Sequence, residues 1–386
     1  MHATPGHAQA ESAHLEMGFL LACLRHRYDP ASPIPDCAGI NWNRCIELAL
    51  RHRVGPMVYR QIVETGVPVP EEARERLKDI YASNAARNMA RLEEMRRLVG
   101  LFRDKSVPAM VLRGPVLAAS VYGDLSLRQF SDLDLLVRSE DVPRISGILS
   151  SEGYRPQFDL DPLQEKALIR FRTERCFIRS ADHAVVDLHW RLLPAFFSFE
   201  AEMEPLWERS VSLDVDGTSV RTLGKEDLFL FLCMHGAKHG WDQLALVCDL
   251  GEMIRAGGKL NWSAIVERAE RSGKRRMLAV GAKLVLELLG ISTPAVDGDR
   301  VADQLVEVLE GRLAEGLGVQ EGGGWIKWRI AWRLMESARD RLAYALDLTV
   351  VPTGMECEMV RLPKRLFGLY RLLRMGRLMG KAVSGR

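Results

Sequence analysis

Several things are scarce in this chain, and each scarcity removes a class of protein. The seven cysteines (Cys23, Cys37, Cys45, Cys176, Cys233, Cys248 and Cys357) are odd in number, irregularly spaced and without a CxxC pair. That argues against a disulfide framework or a thiolate zinc site and fits the reduced thiols of a cytoplasmic protein. No run of 18 or more apolar residues occurs, so no transmembrane helix is expected. The opening MHATPGHAQAESAH lacks the basic and apolar blocks of a secretory leader; residues 1–13 read instead as a disordered N-terminus. An excess of one charge is also missing. The 53 Lys and Arg against 51 Asp and Glu leave a net +2, which is no coat for duplex nucleic acid. No internal repeat of fixed period is present.

What is there is a globular composition, 47% hydrophobic and 27% charged. At 386 residues the chain is too long for one ordinary core, which implies two or three subdomains. Residues 14–96 read as a helical N-terminal region. Trp42, Cys45, Ile46, Leu48 and Ala49 recur at helical spacing, and Pro70-Glu71-Glu72 starts a helix that reaches about Arg103. From residue 97 to 220 the texture alternates. Short apolar strands are expected at 107–112, 133–137, 175–179 and 184–190, with helices at 117–122 and 141–153. Residues 221–350 return to helices, including 226–239, 245–256, 262–272, 276–289, 302–318 and 325–346. The fold class is therefore α+β: a small mixed β-sheet core between two helical regions.

The chemistry concentrates in LRGPVLAASVYGDLSLRQFSDLDLLV, residues 112–137. A strand ends in Arg113-Gly114, a short helix follows, and a second strand presents Asp132 and Asp134. Residues two apart on a strand share a face, so both aspartates point one way and Leu133, Leu135 and Val137 the other. Two adjacent carboxylates repel unless a cation lies between them, and Mg²⁺ favours one or two carboxylates plus substrate phosphates. Gly114 leaves backbone free to approach a phosphate. In AVVDLHW, residues 184–190, Asp187 is a lone acid among apolar neighbours. If its strand lies beside the other, three carboxylates converge and can hold two ions, with Asp187 also able to act as general base. His189 shares the face of Asp187, either against substrate or in a polar pocket, and Trp190 faces the core.

The order Arg113, Gly114, Tyr122, Arg128, Asp132, Asp134, Leu135-Leu136-Val137, Gly153-Tyr154, Val186, Asp187, His189 and Trp190 resembles an uncharacterised bacterial nucleotidyltransferase family. That family lies within the DNA polymerase beta-like nucleotidyltransferase superfamily. HGAKHGW at 235–241 and Asp249 also fit its helical C-terminal part, and the likeness spans about residues 15–350. It implies a nucleotidyltransferase fold with Asp132, Asp134 and Asp187 as catalytic metal ligands, and an NTP, ATP foremost, as substrate. It also implies Mg²⁺, two ions, with Mn²⁺ as a substitute. The chain departs from the superfamily at Pro115, where a serine usually touches the phosphates. Pro lacks both hydroxyl and amide proton, so nucleotide binding is assigned to Gly114, Arg113, Arg128 and His189.

His235 and His239 share a helical face, four residues apart. They have the spacing of a zinc pair but no HExxH and no third ligand, so they either pack against the catalytic lobe or, with Lys238, line a substrate pocket. Asp242 and Asp249 would extend that face on a continuous helix, although Gly240 intervenes. The tail, 351–386, carries Arg361, Lys364, Arg365, Arg371, Arg374, Arg377, Lys381 and Arg386 without an acid after Glu358. Lys364, Arg371, Arg374 and Lys381 fall on one helical side, opposite an apolar stripe; a helix docked on the protein or a partly disordered end is favoured over nucleic-acid or membrane-surface contact. The leading function is transfer of a nucleoside monophosphate to an acceptor hydroxyl (small molecule, sugar, peptide or protein) with pyrophosphate release. The alternatives are phosphoryl transfer to a modified peptide or metabolite on the same site, or an inactive nucleotide- or RNA-binding module.

Overall fold

Caps and apolar spacing build the first hundred residues into helices. The computed structural model describes residues 5–158, 160–194, 203–256, 258–294, 298–314, 323–360 and 362–384. Helices α1 (Pro5–Tyr28), α2 (Trp42–Arg51), α3 (Gly55–Thr65) and α4 (Glu71–Asp104) come first. Residues 5–13, expected to be disordered, belong to α1; a proline in the first turn and the following Ala and Glu residues favour helix. Asn41 caps α2 by accepting from Arg44 N at 3.2 Å. With 34 residues, α4 spans about 50 Å at 1.5 Å per residue.

A five-stranded sheet follows, in the order β1 (Ala109–Val111), β2 (Asp132–Val137), β5 (Val185–His189), β4 (Glu174–Arg179), β3 (Tyr154–Pro156). Only the β2–β5 pairing is parallel, so the sheet is mixed. Between the strands run α5 (Pro115–Leu117), which continues as a wider helical turn over Ala118–Tyr122, then α6 (Val142–Ser151) and α7 (Pro162–Phe171). After α8 (Met203–Glu208) comes a hairpin of β6 (Val211–Val215) and β7 (Thr218–Thr222), two strands the sequence reading lacked. Its turn is Asp216-Gly217, both residues at positive φ, a short-range hairpin signal. Thr222 Oγ1 donates to Val111 O at 2.6 Å, tying the hairpin to β1.

The remaining helices are α9 (Lys225–His239), α10 (Leu244–Ala256), α11 (Trp262–Arg271), α12 (Arg275–Leu289), α13 (Arg300–Ala314), α14 (Gly323–Leu334), α15 (Ala338–Thr349), α16 (Gly354–Met359) and α17 (Leu369–Ser384). One helix expected over 325–346 is two, because Ser337 accepts from Asp340 N at 2.9 Å and starts a new one. The tail docks on the protein at several points. Arg374 is buried and donates to Leu348 O, and Arg377 Nε donates to the buried Glu356 at 2.6 Å. Arg374 therefore does not belong to an exposed basic face: the carbonyl end of α15 and the Glu356 carboxylate draw it inward. Arg361 and Arg386 lie outside the described residues, as do the side chains of Lys364 and Lys381.

Two cores result. One is mainly helical, drawn from α1–α3 and α9–α15 with Met110 of β1 and Leu136 of β2; the other lies beneath one face of the sheet and contains Leu133, Leu135, Val137, Val186 and Leu188. Helix α4 enters both, through Ala73 and Leu77 in the first and Leu92, Met95, Leu98 and Phe102 in the second. In the helical core α9 ends at Gly240 in a left-handed turn, and the fully buried Trp241 folds back over the helix. A Cβ on Gly236 would sit 2.4 Å from the Trp241 ring. Gly236→Ala is therefore expected to cost about 1–3 kcal/mol by overpacking. Thermal unfolding followed by circular dichroism checks it; an unchanged Tm would contradict this packing.

Candidate active site

The two-residue period of β2 sends its side chains to different environments. Leu133, Leu135 and Val137 enter the sheet core, leaving Asp132 and Asp134 on the opposite face. Strand β5 does the same: Val186 and Leu188 enter the core, while Asp187 and His189 share the polar face. In register, Asp134 stands beside Asp187, Asp187 beside Cys176, and His189 beside Glu174. This face is the floor of a cavity of about 350 Å³. Its other walls come from α9, α10 and the segments carrying Arg113 and Arg128.

Asp132, Asp134, Asp187, Arg113, Arg128, His189, His235, Lys238 and His239 all line this cavity. Gly114 is not among the lining residues. It turns the chain behind β2 at φ +56 and ψ −124, a conformation reserved for glycine, where a Cβ would meet Asp132 O at 3.4 Å. The expected continuation of the His235–His239 face along one helix fails at Gly240. Asp242 lies in the turn and Asp249 on α10, and both return to the cavity from there.

Asp134 is the charge hub. Arg113 Nη2 donates to its Oδ2 at 2.7 Å, and His189 Nε2 lies 3.1 Å from its Oδ1. Burial raises the carboxyl, but Arg113 and His189 outweigh it and hold Asp134 well below the usual carboxylate range. The other His189 nitrogen lies 3.2 Å from Glu174 Oε2, and Lys238 Nζ donates to the same oxygen at 3.2 Å. Arg113 Nη1 lies 2.6 Å from His235 Nε2. Burial, then Arg113 and His239, push the His235 imidazole well below its ordinary range, so Nε2 is an acceptor and Arg113 the donor. Asp187 goes the other way. Burial, then Asp134 and Asp132, push its carboxyl up, and the Cys176 thiol bonded to it only partly compensates.

Arg128 has a different partner from the one the sequence suggested. Its Nε and Nη2 donate to Asp249 Oδ1 and Oδ2 at 2.8 and 2.9 Å, and Tyr122 OH donates to Oδ1 at 2.7 Å. Asn84 and Asn88, one turn apart on α4, both donate to Arg128 O, at 3.1 and 2.7 Å. The loop before β2 is thus pinned from two sides.

The donor set suits a hard cation. Three carboxylates share one face, and no ion pair to Asp132 or Asp187 is present among the described residues. No three His, Cys, Asp or Glu side chains among the described residues are already gathered at metal-holding spacing.

The lining residues missed in the sequence include Glu174, Arg53 and Gln129, whose Oε1 is buried without a partner among the described residues. Glu174 opens β4 one residue before the expected strand, and only the antiparallel register sets it beside His189.

A mixed sheet that presents a D-x-D strand next to a third acid on its parallel neighbour, with a glycine turn behind, is the frame of a nucleotidyltransferase. The chain belongs to the uncharacterised nucleotidyltransferase family, whose profile residues 38–290 match. No curated protein matches it. Among solved structures it is similar to the lincomycin-bound lincosamide antibiotic adenylyltransferase LnuA, at 14% identity and a TM-score of 0.30, over 42% of this chain and 95% of that one. It is also similar to an antigenic nucleotidyltransferase-like protein from Paracoccidioides brasiliensis, at 11% identity and a TM-score of 0.31, over 56% and 95% of the respective chains.

The raised Asp187 carboxyl has a consequence for stability. A folded pKa above the unfolded one adds stability below the unfolded value, which is lost as pH rises through the folded value. At pH 7, in EDTA, Asp187→Asn is therefore expected to unfold at a higher temperature than the wild type. The difference should close as pH falls toward 4 and the wild-type carboxyl gains its proton. A lower Tm at pH 7 would mean that the carboxylate is stabilised by contacts other than those described.

Proposed function

We propose that the protein transfers a nucleoside monophosphate from an NTP, ATP foremost, to an acceptor hydroxyl with release of pyrophosphate. The observation that carries this reading is the convergence of Asp132, Asp134 and Asp187, from two paired strands, on one cavity also lined by Arg113. Mg²⁺, or Mn²⁺ in its place, would be held by these three carboxylates and would neutralise phosphate charge as the reaction proceeds.

The chain's own residues supply the rest. Asp187 takes the proton of the acceptor hydroxyl; the acceptor oxygen bonds to the α-phosphorus, the α–β bridging P–O bond breaks, and pyrophosphate leaves with the electron pair. His189 and Arg113 fix the orientation of Asp134 through its two oxygens. Arg113 Nε is buried without a partner among the described residues and remains a donor for a phosphate oxygen. His235 accepts from Arg113 and holds that guanidinium over Asp134. Lys238 and His239, on the wall facing the sheet, are assigned to the acceptor side. Arg128 acts by holding the loop before β2 through Asp249, not as a free phosphate clamp.

The test is pyrophosphate release from each of the four NTPs with Mg²⁺, with cell extract supplying acceptors. The wild type should release it, and Asp132→Ala/Asp134→Ala should be slower by about 10²-fold or more, the scale of losing a main electrostatic contact in the transition state. Product mass separates addition of a nucleoside monophosphate from addition of phosphate alone. Equal release by wild type and variant sinks the assignment of the aspartates. Metal-dependent NTP binding without turnover in either protein points to a binding module.

A further inference from the structure

The turn between α2 and α3 holds Arg53 in the left-handed region, at φ +55. Side chains other than glycine and asparagine are uncommon there. Arg53 N donates to Leu50 O at 3.1 Å and Val54 N to Ala49 O at 2.9 Å, a helix-ending turn that glycine makes with less strain. The backbone alone thus gives no reason for an arginine at this position.

The turn is anchored on the roof of the active site. Ala245 N donates to His52 O at 3.1 Å, and Leu244 N to His52 Nδ1 at 3.4 Å, both at the start of α10. Burial, with Arg51 beside it, pushes His52 down to about 4, so the ring is neutral and Nδ1 accepts. His52 is fully buried, whereas its neighbour Arg53 is exposed and lines the active-site cavity. Anchor and reach are consecutive residues.

The charges in the cavity set Arg53 apart. Arg113 is held by Asp134, Arg128 by Asp249 and Lys238 by Glu174. For Arg53 no ion pair or side-chain hydrogen bond is present among the described residues. A guanidinium that is uncommitted, always charged and forked matches a phosphate in charge and shape. We infer that Arg53, supplied by the N-terminal helices, is a phosphate-binding residue of this site and holds the terminal phosphates of the NTP that leave as pyrophosphate. The inference rests on the nucleotidyl-transfer reading above. An acidic group on the acceptor would use the same chemistry, and the experiment separates the two sources.

Titration calorimetry of the full chain with Mg²⁺–pyrophosphate, Mg²⁺–ATP and adenosine, on wild type, Arg53→Ala, Arg53→Gly and Arg53→Lys, decides it. Arg53→Ala and Arg53→Gly should weaken pyrophosphate and ATP by about 10-fold or more, the scale of a charged hydrogen bond, and leave adenosine unchanged. Arg53→Lys should keep part of the affinity. Arg53→Gly should match or exceed the wild-type Tm, which separates lost binding from misfolding. Wild-type affinity for pyrophosphate and ATP in Arg53→Gly overturns the assignment alone; slower pyrophosphate release from saturating ATP with cell extract as acceptor source would then place the arginine on the acceptor side. A wild type that binds neither ligand overturns the nucleotidyl-transfer reading and this assignment with it.

Discussion

The buried pair of Arg128 and Asp249 holds the site together. It joins the loop that delivers β2 to the helix that roofs the cavity, with both oxygens of Asp249 taken by one guanidinium and Tyr122 added. A pair this deeply buried gains stability only if its remaining hydrogen-bonding groups are also met, and losing one partner strands a charge in the interior. Here the backbone of Arg128 is fixed as well, by Asn84 and Asn88 from α4. Side chain and main chain of one residue therefore lock the loop to helices before and after it in the sequence.

The floor of the cavity is in tension with this order. Asp132, Asp134 and Asp187 crowd one sheet face, and among the described residues only Asp134 is paired with a permanent cation, Arg113. The excess is visible in the raised Asp187 carboxyl. Neutral residues on this face would favour stability, so the crowded charges mark it as a candidate functional site. Arg53 carries the same signature in the backbone: a position suited to glycine holds a charged side chain that reaches the cavity.

How much of this was legible in the sequence depends on how far each relation reaches along the chain. The D-x-D strand and the face of Asp187 follow from a period of two, a local property, and Leu133, Leu135 and Val137 lie in the core as that period requires. That the two strands pair was a conditional in the sequence, and the β2–β5 register fulfils it. The role of Arg128 was not legible, because Asp249 lies 121 residues away and a free arginine and a paired one look alike in sequence. Glu174 and Arg53 are brought in by strand register and helix docking, which no local pattern encodes. The β6–β7 hairpin is a different case: Asp216-Gly217 is a local signal that the strand reading passed over.

Helix α4 is a continuous rod whose two ends are buried in different cores. The N-terminal helices and the five-stranded sheet consequently share one structural member, and neither can be cut away without exposing apolar surface of the other. The boundary near residue 97 that the strand-and-helix pattern suggests runs through that rod's second buried stretch, between Met95 and Leu98. In evolutionary terms the two halves are not interchangeable modules. A recombination that replaced one would have to carry the whole helix with it, so the N-terminal layer and the aspartate sheet are expected to be inherited as a unit.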